Sequence, residues 1–150
     1  MIRLMSKRVL CPTDFTPESD QALREALDLA EDPGDVTVLH VAAPLESYAV
    51  ADPAIVWESV CDDTRRVKLT ESFLNWVDAD GKPDPRRQEV DFQVLFGHPS
   101  TEIAKFADEH HFDLIVMPSH GRSGFERIIR GSTAERVVRS AHCPVLVLCE

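Results

Sequence analysis

The sequence predicts an α/β fold, with a doubly wound, five-stranded parallel sheet and helices on both faces. Three observations carry that expectation. Five short apolar runs alternate with four stretches of helical period, and right-handed crossovers between parallel strands place such helices on both sides of a sheet. There is no internal repeat and no linker long enough to separate two units. The length, 150 residues, suits a single domain spanning 1–150, which would bury roughly two-thirds of its unfolded surface.

The first strand is expected over Arg8–Pro12, where Val9, Leu10 and Cys11 form an apolar run ahead of the polar turn Thr13-Asp14-Phe15-Thr16-Pro17. Thr16 can cap a helix that starts at Pro17, since proline lacks only an N–H the first turn leaves unpaired. Ala22, Leu23, Ala26, Leu27 and Ala30 repeat on one face until Asp32-Pro33-Gly34 breaks the chain. Val36–Val41 is rich in β-branched residues and reads as the second strand. A loop bracketed by Pro44 and Pro53 leads to a second helix, with Leu69, Phe73, Trp76 and Val77 on one face. Beyond the turn-rich 80–85 connector, Val90, Phe92, Val94 and Phe96 alternate as a third strand ending at Gly97. Ser100 is expected to cap a third helix, with Ile103, Phe106 and Ala107 facing inward. Leu114–Met117 reads as the fourth strand. A last helix with Ala134, Val137, Val138 and Ala141 inward precedes the closing strand Val145–Leu148.

Charge and composition narrow the function classes. The net charge is -10, from 26 acidic residues against 16 Lys and Arg, which argues against nucleic acid and anionic membrane surfaces as partners. No apolar run reaches transmembrane length. Cys11, Cys61, Cys143 and Cys149 contain no C-x-x-C pair and are expected as free thiols. With no signal-like stretch at Met1–Lys7, a cytoplasmic location is expected.

In an open sheet of this kind, ligands bind outside the carboxyl ends of the strands, at the switch point where neighbouring crossovers diverge. The loops after strands one, two and four therefore carry the chemistry. After strand four come Met117-Pro118-Ser119-His120-Gly121-Arg122-Ser123-Gly124, then Gly131-Ser132-Thr133 at a helix start. Glycines let the backbone approach an anion, and the amides opening the last helix, with the Ser132 hydroxyl, suit phosphates. Arg122, Arg127 and Arg130 add local positive charge. The plainer reading of the same residues is that the glycines turn the chain, Ser132 caps a helix and the arginines are solvated. Asp14 likewise suits either a ligand or its own turn. His120 has no carboxylate placed to orient it, and His110 and His111 lie on different faces without partners at i+4, so no protein-only metal site is expected. Other classes lack their marks: a Ser119 hydrolase would need the first glycine of G-x-S-x-G, a phosphoacceptor receiver domain an acidic pair after strand one, a dehydrogenase G-x-G-x-x-G, and a P-loop enzyme G-x4-G-K-[ST].

Pro12-Thr13-Asp14-Phe15, His40-Val41, Ser119-His120-Gly121-Arg122, Gly131-Ser132 and Cys143-Pro144-Val145-Leu146-Val147 together resemble, in matching order, the universal stress proteins. The resemblance covers nearly the whole chain. It implies the strand order 3-2-1-4-5 and adenine-nucleotide binding through G-x2-G-x9-G-[ST]. Gly121, Gly131 and Ser132 would then face the ribose and phosphates, with Thr133 beside them, while Asp14 and Val41 would face the nucleoside. Pro12, Thr13, Met117, His120 and Arg122 complete the implied site, and Pro118 stands where the motif has its first glycine. The ligand implied is ATP, with ADP or AMP as alternatives and Mg²⁺ as the accompanying ion. The partners implied are a second copy, paired through Val145–Leu148, and an unidentified protein. Turnover, if any, is expected to be slow. The alternative function is a nucleotide-independent interaction module, which Pro118 favours because proline offers no N–H.

Overall fold

The computed structural model describes residues 8–42, 62–76, 81–119 and 131–149. In chain order its elements are β1 (Val9–Pro12), α1 (Pro17–Leu29), β2 (Val36–Ala42), α2 (Asp62–Leu74), β3 (Asp91–Phe96), α3 (Pro99–Glu109), β4 (Leu114–Pro118), α4 (Ser132–Ser140) and β5 (Val145–Leu148). Short 3₁₀ turns at Pro33–Asp35 and Pro85–Gln88 lead into β2 and β3. All strand pairs are parallel and the order is β3-β2-β1-β4-β5, the order expected.

The strands form because their residues can be buried on both sides. Val9, Cys11, Val36, Val38, Leu114 and Val116 point to one face, where Ala22, Leu23, Ala26 and Leu27 of α1 and Phe73 of α2 cover them. Leu10, Leu39, Ile115 and Met117 point to the other, under Ile103 and Ala107 of α3 and Ala134 and Val137 of α4. Helices thus lie on both faces, and alternate residues of one strand feed two cores.

Helix starts follow local chemistry. The Thr16 side chain accepts the Ser19 N–H at 3.3 Å, and Pro17 opens α1. At α3 the expectation fails. His98, not Ser100, is the N-cap, Pro99 takes the first helical position, and Ser100 lies inside the helix, buried, with its hydroxyl 3.1 Å from His98 Nδ1. Proline at 99 fixes the start two residues earlier than a serine cap would. Val138 is also misplaced by the period: it is 45% exposed while Val137 is fully buried. Trp76 follows the end of α2, and Val77 lies outside the described residues.

The two sheet edges differ. The β3 edge is partly covered, because Arg66 of α2 donates to the Val94 carbonyl at 2.7 Å and the Arg65 and Arg66 guanidinium groups lie over the Phe96 ring. At the β5 edge Leu146 is 37% exposed. Cys11 is buried, Cys143 half-buried and Cys149 exposed, all as free thiols. Cys61 and the 42–53 loop beyond Ala42 lie outside the described residues. No helix among the described residues is long and apolar enough to cross a membrane.

Candidate functional site

The topology sends the chain from β1 to β2 on one side and from β3 across to β4 on the other, so the switch point lies between β1 and β4. A cleft of about 300 Å³ opens there at the carboxyl ends of the strands. Pro12, Thr13 and Asp14 border it from the end of β1, Val41 from β2, Met117 and Pro118 from β4, and Gly131, Ser132 and Thr133 from the start of α4. The structure therefore brings these predicted residues to one place. His120, Gly121 and Arg122 lie outside the described residues, as do Gly124, Arg127 and Arg130.

Each wall has a local cause. The amide of Thr13 donates to the Leu39 carbonyl at 2.9 Å, holding the chain beside β2 for one residue beyond the strand. The chain then turns sharply at Phe15, whose φ of 61° is left-handed. Asp14 organises that turn. Its Oδ1 accepts the Thr16 N–H at 3.1 Å, the Ser19 hydroxyl at 2.6 Å and the Thr16 hydroxyl. Burial pushes the carboxyl upward, but the hydrogen bonds from Ser19 and Thr16 outweigh it, and the group is held below its ordinary 3.8. Asp14 is thus an ionised, fixed acceptor at the cleft wall.

Val41 offers backbone rather than side-chain chemistry. Leu39 presents its carbonyl to β1, and Ala42 presents its own to Gly97 beyond β3, at 3.0 Å. Since neighbouring residues of a parallel strand address opposite sides, the N–H and C=O of Val41 face the β1 side, past the last β1 pair at Pro12↔Leu39.

Across the cleft, α4 begins without a side-chain cap. Its N-cap is Gly131, whose amide donates to the Ser119 carbonyl at 3.0 Å, and the first helical bond is Glu135 N–H to the Gly131 carbonyl at 3.0 Å. The amides of Ser132, Thr133 and Ala134 precede that bond and have no partner within the helix. Directed amides at the positive end of a helix dipole form an anion seat.

Three contributors were not in the implied site, although His40 and Ser119 stand in the motifs that carry the resemblance. Ser19 borders the cleft and fixes Asp14; the available signal was its place three residues after the Thr16 cap. His40 also borders it, with Nδ1 2.8 Å from the Thr13 carbonyl and its ring 4.9 Å from that of Phe15. A carbonyl only accepts, so Nδ1 carries the hydrogen. Ser119 lies at the end of β4, where its amide donates to the Leu148 carbonyl at 2.9 Å. Among the described residues no group of three or more His, Cys, Asp or Glu could hold a metal ion.

An open parallel sheet covered on both faces, with a cleft at its switch point, places the protein in the doubly wound α/β class. The sequence model of the universal stress protein family matches residues 5–148, and the chain belongs to that family. Universal stress protein MJ0531 of Methanocaldococcus jannaschii is 33% identical over 149 residues, 95% of this chain and 81% of that protein. The solved structure of MJ0577 from the same organism is 30% identical, covers 96% of each chain and superposes with a TM-score of 0.66. Two more distant structures of the same fold, each 19% identical, are complexes. One is a universal stress protein with cAMP, covering 97% of this chain and 98% of its own (TM-score 0.56), and the other is the Archaeoglobus fulgidus protein with dAMP, covering 97% and 99% (TM-score 0.51).

Proposed function

We propose that the chain is one domain over 1–150 that binds an adenine nucleotide in the switch-point cleft, and that occupancy changes its affinity for a protein partner. The observation that carries this reading is the row of amides at Ser132, Thr133 and Ala134, unpaired within the helix and opening on the cleft opposite Asp14 and Val41. The cleft, about 300 Å³, meets the lower end of small-molecule sites. Relatives of the same fold in complex with cAMP and dAMP support the adenine nucleotide as the ligand class.

ATP is the first candidate, with ADP and AMP as alternatives. Phosphates would lie on the α4 amides and the Ser132 and Thr133 side, completed by His120, Gly121 and Arg122. The nucleoside would lie along Asp14 and the Val41 backbone, between walls from Pro12, Thr13, Met117 and Pro118. Mg²⁺ would arrive with the nucleotide, held by its phosphates. A switch rather than a rapid hydrolase is the role proposed, and the cytoplasm, where ATP is abundant, is the compartment proposed with it.

Calorimetric titration of nucleotide-stripped protein with ATP and Mg²⁺, repeated on Gly131→Val, tests the reading. Saturable binding is expected, weakened at least about tenfold in the variant, because a branched side chain at the helix start blocks approach to the amides. Absence of binding up to millimolar ATP would instead support the nucleotide-independent interaction module.

A further inference from the structure

Prolines at the ends of two central strands need a reason, since proline is normally confined to edges, strand starts and bulges. β1 pairs with β2 as far as Pro12↔Leu39, and β4 pairs with β5 as far as Pro118↔Leu148. Between β1 and β4 the pairing stops earlier, at Val9↔Leu114 and Leu10↔Ile115. The pattern of amides explains the difference. Thr13 N–H donates to β2 at Leu39, so residue 12 addresses β4; Ser119 N–H donates to β5 at Leu148, so residue 118 addresses β1. In the observed register the next two bonds of the β1–β4 ladder would run from N12 to the Val116 carbonyl and from N118 to the Pro12 carbonyl. Both nitrogens belong to prolines and carry no hydrogen.

We propose that the pair Pro12 and Pro118 holds the switch-point gap open and lines its two strands with carbonyl acceptors, so that it selects a hydrogen-bond-donating ligand group. The carbonyls of Pro12 and Val116 face the gap, and neither strand offers a donor at that level. Among the described residues, the Pro12 carbonyl accepts a weak bond from the Cys11 thiol at 4.0 Å. Ribose hydroxyls and ring amines satisfy such acceptors; phosphate oxygens, which only accept, are turned away from the gap toward α4. This deepens the nucleotide reading and rests on it for the identity of the ligand. Pro118 then specifies which end of a nucleotide enters the gap. It costs the sheet no bond to β5, because its nitrogen never faced that strand.

The test is Pro118→Ala in the full chain. Residue-resolved amide hydrogen exchange without nucleotide reads the ladder, and calorimetry with adenosine reads the gap. The restored N–H at 118 is expected to pair with the Pro12 carbonyl, exchanging at least about tenfold more slowly than an unstructured amide, while adenosine binding weakens about tenfold. Unchanged protection at 117 and 119 reports that the fold is intact. An amide at 118 that exchanges freely, with adenosine affinity unaltered, overturns the proposal. Slow exchange at 118 with no adenosine binding to either protein upholds the open gap and fails the nucleotide reading instead.

Discussion

Asp14 shows what one carboxylate at a strand end can do before any ligand arrives. Its Oδ1 ties the β1 turn to the first turn of α1 through Thr16 and Ser19. Because its folded pKa lies below the ordinary 3.8, the stability it contributes is present above about pH 4 and lost as pH falls through the lowered value. Asp14→Asn is therefore expected to destabilise the protein by about 1–2 kcal/mol at pH 7, with the difference from wild type shrinking in denaturant titrations below pH 4. Cys11 is the opposite case. Burial pushes its thiol up to about 12 despite the nearby Arg87, so its neutral form favours folding below about pH 9 and that contribution fades as pH rises toward 12. At pH 8 an alkylating reagent followed by peptide mass spectrometry should modify exposed Cys149 and leave Cys11 untouched until the protein is unfolded.

At the scale of elements, the question is what anchors the segment before β3 to α1. Arg87 donates to Asp20 at 2.6 Å with side-chain exposures of 9% and 12%, and its guanidinium lies 4.7 Å above the ring of buried Phe73. Three elements meet on one side chain. Arg86, next to it, bridges Asp28 and Asp84 while 37% exposed. Thermal or urea unfolding should register Arg87→Ala as a loss of about 3 kcal/mol, and Arg86→Ala as about 1 kcal/mol or less. Most elements were legible in the sequence because period and breakers are local properties. Thr16-Pro17 announces α1, and the β-branched run from Val36 announces β2. The start of α3 was misread because Pro99 and Ser100 compete for the same turn and proline's fixed φ prevails. The Arg87–Asp20 pair, 67 residues apart, left no local mark. In the cleft, spacing brought Gly131, Ser132 and Thr133 to notice, but the parts played by His40 and Ser19 show only in tertiary contacts with Thr13 and Asp14.

For the whole molecule, the exposed β5 edge bears on assembly. Val145 and Val147 direct their amides and carbonyls outward, since Ile115 and Ser119 of β4 donate to Pro144 and Leu148. Leu146 of that strand is an exposed apolar residue. We propose that a second copy covers it, β5 beside β5, as a homodimer. Gel filtration with light scattering should give a dimer mass for the wild type and a monomer mass for Leu146→Glu, because two opposed carboxylates at a twofold axis repel. A wild-type monomer would sink that assembly.

The arginine cover on β3 gives the sheet a valence. Edge strands are templates for growth, and a protein with two bare edges can be both a donor and an acceptor in an endless ribbon. Here Arg66 already holds the Val94 carbonyl, and its guanidinium and that of Arg65 lie over Phe96, so an incoming strand at that side must first displace two cations. With one edge spoken for, each molecule of the proposed dimer would be a chain terminator. In the proposed dimer, addition would stop at two copies, and the protein would be kept from polymerising through its own sheet.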